Sequence, residues 1–95
     1  MGRPMGRPMK VKYDTEGDLV YVTVRPDHEE GGGRRLDSSR ILHVDEAGKA
    51  VAYEFLWASN GISLEGIHPY DQELIRQALD QTRPNDGAPD LTIIM

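Results

Sequence analysis

The chain has no cysteine among its 95 residues. That excludes a disulfide framework, a thiolate metal site and a thiol nucleophile, and it fits a reducing cytoplasm. Long apolar runs are missing as well. No window reaches the roughly 18 residues that a membrane span needs, and no apolar segment follows the basic start as in a signal peptide, so a soluble cytoplasmic protein without membrane contact is expected. Catalytic punctuation is also scarce. Gly31-Gly-Gly33 lacks the following helix and Lys-Ser/Thr pair of a phosphate-binding loop, and no nucleophile elbow or HExxH spacing occurs. A chain of this length makes one domain burying roughly 60–65% of its unfolded surface, and a deep substrate cavity would compete with that modest core.

What is present starts with charge. The net charge is −5, but Arg3, Arg7, Lys10 and Lys12 give the first twelve residues +4, leaving −9 for residues 13–95. An acidic body repels phosphate backbones, so nucleic acid is disfavoured and a small basic protein is favoured as partner. Residues 1–8, in which Met-Gly-Arg-Pro is written twice, read as a disordered basic tail ahead of a domain that begins at Met9.

Two β-hairpins in tandem organise the body. Val11–Val20 and Leu42–Val51 each carry Asp-x-x-Gly (Asp14…Gly17, Asp45…Gly48) between apolar and β-branched runs. This is the signature of a type I turn closed by a left-handed Gly. Pairing Asp14 with Asp18 sets Met9, Val11 and Tyr13 opposite Thr23, Tyr21 and Leu19, and leaves Val20, Val22 and Val24 on the other face with Lys10 and Lys12. A strand apolar on both faces points to two-sided packing or a dimer. The same pairing in the second hairpin gathers Ile41, His43, Val51, Tyr53, Phe55 and Trp57 on one face and Leu42, Val44, Ala50, Ala52 and Leu56 on the other. It also sets Glu54 against Arg40 as an ion pair and His43 against Val51 as a packed or edge histidine. Val20, Val22, Val24, Tyr53, Phe55 and Trp57 are the candidate interface residues.

Pro26 ends the second strand, and residues 27–35 read as a mobile, Gly-rich connection. Its Asp27, His28, Glu29 and Glu30 are solvated charge rather than a metal site, and no cofactor is expected. Ser59-Asn-Gly61 is a turn and residues 62–67 an apolar connector crossing the edge of the sheet. A helix opens at His68-Pro69, with Asp71 and Glu73 at its positive end and Tyr70, Leu74, Ile75, Ala78 and Leu79 as the stripe laid on the sheet. Residues 83–95 form a loop and an edge strand or loose tail. The predicted fold is therefore α+β: a small antiparallel sheet of two tandem hairpins with one C-terminal helix, a single domain over residues 9–82.

Met9-Lys-Val-Lys-Tyr-Asp14, Asp18-Leu-Val-Tyr-Val22, Ile41-Leu-His-Val-Asp-Glu-Ala-Gly48, Val51-Ala-Tyr-Glu54, Ala58-Ser59 and Gly61-Ile-Ser-Leu-Glu-Gly66 together resemble the small bacterial and archaeal domain of unknown function family 2283. The likeness covers about residues 9–67. It departs at Ala52-Tyr53, where that family often has Gly and an aliphatic residue, and at Arg34-Arg35, where the region is commonly acidic. The resemblance implies a compact antiparallel sheet with a helix in a prokaryotic cytoplasm. It carries over no catalytic residue, and some relatives neighbour small toxin-like proteins, which implies an antitoxin or binding-partner role.

Two functions follow. The first is a protein-interaction or regulatory module that self-associates or masks a basic partner. The alternative is a small hydrolase-like or ligand-binding enzyme using His43 or His68, with Ser38, Ser39, Asp45, Ser59 and Ser63 supplying further hydrolase residue types.

Overall fold

A computed structural model describes residues 9–81 and 91–94. The expected basic tail, residues 1–8, lies outside them, as does the loop before Leu91. Five strands, β1 (Lys10–Asp14), β2 (Leu19–Thr23), β3 (Gly32–Asp37), β4 (Arg40–Val44) and β5 (Ala50–Leu56), precede a 3₁₀ turn at Ala58–Asn60 and one helix, α1 (Pro69–Gln81). The sheet is antiparallel throughout with order β1-β2-β5-β4-β3. This is the predicted α+β architecture, with both hairpins and the helix in place.

The registers differ from the prediction, and the differences decide which side chains are buried. In the first hairpin Asp14 pairs with Leu19, Tyr13 with Val20 and Val11 with Val22. The loop holds four residues instead of three, and Asp18 (φ 51°), rather than Gly17, takes the left-handed conformation. Asp14 Oδ1 accepts the amides of Glu16 and Gly17, while Asp18 accepts Tyr13 Oη, Ser59 Oγ and the Ser59 amide. A slip of one residue exchanges the two faces of a strand. Here it unites Val11, Tyr13, Val20, Val22 and Val24 on one buried face, while Leu19 and Tyr21 of β2 stay on the other.

The second turn follows the prediction: Gly48 has φ 86° and donates to Asp45 O, and Asp45 donates to Lys49 O. Beyond it a bulge intervenes. Val44 pairs with Ala50 but His43 pairs with Ala52, so Val51 is the extra residue. Leu42 therefore joins Tyr53 and Phe55 on the buried face, while Ile41 and His43 face away with Ala52, Glu54 and Leu56. Glu54 lies opposite Ile41, not Arg40. Arg40 pairs with Asp37 at 2.7 Å instead.

The fifth strand was not expected. Gly32–Asp37 pairs with β4 and is exposed along its whole length. Its Gly-Gly-Arg-Arg composition has little strand propensity, and the segment is held by ladder hydrogen bonds to β4 rather than by burial.

α1 and the 62–67 connector cover the apolar face, where Ile62, Leu64, Ile67, Ile75 and Ala78 meet the strands. The connector thus crosses the core rather than an edge. Residues 91–94 do not extend the sheet: Ile93 makes an isolated parallel bridge with Ile62. On the helix, Leu74, Ile75, Ala78 and Leu79 pack as predicted, but Tyr70 is 63% exposed and Asp71 is 6% exposed. Asp71 precedes Ile75 by four residues and shares its inward stripe. There its carboxylate accepts Arg25 Nη2 at 2.8 Å, Arg25 Nη1 at 3.3 Å and Tyr53 Oη at 2.5 Å. Arg25 Nη1 also reaches Ala50 O. Burial pushes the Asp71 pKa up, but the hydrogen bonds from Arg25 and Tyr53 outweigh it, and the net shift is downward. This triad pins the helix to the sheet.

Candidate interaction surface

The second face of the sheet has no layer over it among the described residues. From one edge to the other its rows read Lys10-Thr23-Ala52-His43-Gly33 and Lys12-Tyr21-Glu54-Ile41-Arg35, with Asp14, Leu19 and Leu56 in a third. Leu19, Tyr21, Ile41 and Leu56 are half-buried by their neighbours alone. Glu30, from the β2–β3 connection, reaches back over the centre. It accepts Tyr21 Oη at 2.7 Å and stands 2.6 Å from His43 Nδ1, while His43 Nε2 is 3.1 Å from Glu54. The Tyr21 and His43 rings are 5.0 Å apart.

Carboxylates only accept, so both His43 contacts are hydrogen bonds together when the ring carries both protons, unless one acid is protonated. Burial, then the Glu30 contact, push the Tyr21 hydroxyl pKa up. The hydrogen bond from Tyr21 holds Glu30 below its ordinary value, against a smaller opposing effect of burial and with help from His43. The face thus has an acidic, hydrogen-bonded centre with Lys10 and Lys12 on one flank and Arg35 on the other. Among the described residues no group of three or more His, Asp or Glu side chains is arranged to hold a metal ion.

Of the candidate interface residues, Val20, Val22, Val24, Tyr53 and Phe55 are at most 5% exposed and belong to the chain's own core beneath α1. Trp57 alone is open, at 54% exposure. Its backbone is left-handed (φ 52°, ψ 47°), which costs a residue with a Cβ about 1–2 kcal/mol. The hydrogen bonds Ala58 N to Asp18 O and Leu56 N to Ser39 O hold the chain on either side of it.

The residues of the enzyme alternative are dispersed. His68 caps α1, its Nδ1 accepting the Tyr70 amide at 3.1 Å. Asp45 pairs with His28, Ser39 bonds Asp37, Ser59 bonds Asp18 and Ser63 accepts the Glu65 amide. Ser38 accepts Arg35 through its backbone oxygen. Among the described residues no serine hydroxyl is hydrogen-bonded to His43 or His68, the pairing a serine nucleophile and its base require. Glu30, Tyr21, Arg25 and Asp71 were missed by sequence reasoning. Only Asp71 left a signal, its four-residue spacing from Ile75.

The fold and this surface define a small α+β domain with one covered and one uncovered sheet face. No family model matches the chain, and no curated protein or solved structure is significantly similar to it. No described helix is long and apolar enough to cross a membrane.

Proposed function

We propose that this chain is a protein-interaction module that binds a small basic protein through the uncovered face of its sheet. The observation that supports the reading most is that face itself: Leu19, Tyr21, Ile41 and Leu56 form half-buried apolar ground around Glu30 and Glu54, with no described segment over it. Five strands spaced about 4.8 Å apart, each about 17–20 Å long, give a footprint of about 400–500 Å². That is the size of a small but specific contact once side-chain relief is added. Charge favours a basic partner over self-association. A two-fold pairing of this face would bring its acidic centre towards that of its copy, whereas a basic partner meets a body of net charge −9. An antitoxin-like masking role in a bacterial or archaeal cytoplasm, which the likeness of residues 9–67 to domain family 2283 implies, is part of the same proposal.

The test is gentle affinity purification from native cells, with absolute mass by light scattering and identification of every co-eluting chain. A stoichiometric complex with a basic protein, weakened by Thr23→Lys in the Lys10-Thr23-Ala52 row of the face, is expected. A monomer or homodimer without a partner contradicts the proposal.

A further inference from the structure

We propose that Trp57 anchors the docking of a basic, apolar segment of the partner protein at the end of the sheet where β5 stops. This rests on the interaction-module reading and assigns it a contact point and a partner chemistry. Three observations converge there. First, the only tryptophan of the chain is 54% exposed and sits on a left-handed backbone that glycine would adopt without strain. An aromatic side chain is thus kept where the local fold favours none, and such outliers concentrate at functional positions.

Second, Trp57 does not stand alone. It lines a depression of about 160 Å³ together with Leu56, the end of the open face, and Ile94, which is 64% exposed. Leu36, 39% exposed, lies at the same end of the sheet, next to Asp37, which pairs with Arg40. Three of the four exposed large hydrophobic side chains among the described residues therefore gather at this end, and Tyr70 is the exception.

Third, the surroundings are acidic. Asp14, Glu16 and Asp18 lie in or beside the first turn, which is fastened to the Trp57 segment through Ala58 N to Asp18 O and Ser59 to Asp18. Asp37 stands on the other side and pairs its carboxylate with Arg40, whose guanidinium also reaches the backbone oxygens of Ser63 and Glu65. Asp14, Glu16, Asp18 and Asp37 thus lie on the segments beside Trp57, and the one guanidinium among them, Arg40, is already engaged by Asp37. An exposed indole with an acidic rim suits a segment that offers apolar side chains together with Lys or Arg, since tryptophan is both a frequent interface anchor and the best aromatic partner for a cation. A second copy of the chain would bring an identical acidic rim and is disfavoured by the same argument.

The probe is a synthetic amphipathic Leu/Lys peptide without tryptophan, with a Leu/Glu peptide of the same pattern as control, titrated into the full chain. Trp57 reports its own burial. The expected result is a saturable blue shift of its emission with the Leu/Lys peptide only. By calorimetry, Trp57→Gly should weaken that binding at least tenfold while leaving the melting temperature equal or higher, and Tyr70→Ala should leave binding unchanged. The proposal is overturned by no shift, by an equal shift with Leu/Glu, by undiminished binding to Trp57→Gly, or by a blue shift that appears on raising the chain concentration alone, which would make a second copy the occupant. The two readings fail separately. A native complex that survives Trp57→Gly removes the anchor and leaves the module. Peptide binding lost in Trp57→Gly, with no native partner found, removes the module and leaves the anchor.

Discussion

Replacing Asp71 by alanine should cost about 3–5 kcal/mol. Asp71 is 6% exposed, and its carboxylate accepts both terminal nitrogens of Arg25 and the hydroxyl of Tyr53. Without it Arg25, whose side chain is only 15% exposed, keeps Ala50 O as a hydrogen-bond acceptor but no counter-charge. Removing one member of a buried ion pair carries this penalty because the other charge is left unpaired. A chain of this length has a total stability of about 5–14 kcal/mol, so a large fraction would go. At about 4–8 °C per kcal/mol the melting temperature should fall by roughly 12 °C or more. Urea denaturation followed by tryptophan emission and by far-ultraviolet circular dichroism measures the change. The double variant Arg25→Met/Asp71→Leu should recover most of the loss, because two apolar groups leave no charge stranded. A loss under 1 kcal/mol in Asp71→Ala, or no recovery in the double variant, would refute the role assigned to the triad. The pH dependence has a definite sign. Since the folded-state pKa of Asp71 is lowered, its contribution is complete above the unfolded value of about 3.9 and fades as pH falls from there through the folded value. In Asp71→Asn this acid-dependent component should be absent.

The two Asp-x-x-Gly turns should respond unequally to alanine. Gly48→Ala meets empty space but a φ of +86° and should cost about 1 kcal/mol, whereas Gly17→Ala, which needs only the end of the Leu19 side chain to give way, should stay within about 0.5 kcal/mol by denaturant titration. Tyr21→Phe removes the main cause of the lowered Glu30 pKa and should move it upward, as read by carboxyl carbon shifts in NMR. His68→Asn replaces an imidazole acceptor at the start of α1 by a better capping side chain and should raise stability by a few tenths to about 1 kcal/mol in thermal melts.

The hairpins and the helix were legible because their signals are local: period-two apolar runs, Asp-x-x-Gly punctuation and Pro69 ahead of an apolar stripe. Register was not. Asp14…Gly17 is compatible with a three- or a four-residue loop, and the choice fell to burial, which gathers Val11, Tyr13, Val20, Val22 and Val24 on one side. The bulge at Val51 has no marker in the sequence, yet it decides whether Leu42 or His43 faces the core. β3 was hidden by its composition, since pairing with β4 supplies what Gly32 and Gly33 do not. Nothing in the sequence distinguishes Glu30 from solvated loop charge, because only the tertiary fold brings it over Tyr21 and His43. Trp57 follows Tyr53 and Phe55 in the strand period, and its left-handed backbone takes it out of that series.

The most direct test of the account is hydroxyl-radical footprinting of the native complex against the free chain. Protection of Leu19, Tyr21, Ile41, Leu56 and Trp57 in the complex, with Tyr70 on α1 labelled equally in both, is the predicted result. Protection of Tyr70 and the outer side of α1, with Tyr21 and Trp57 unchanged, would place the partner on the helical face and contradict it.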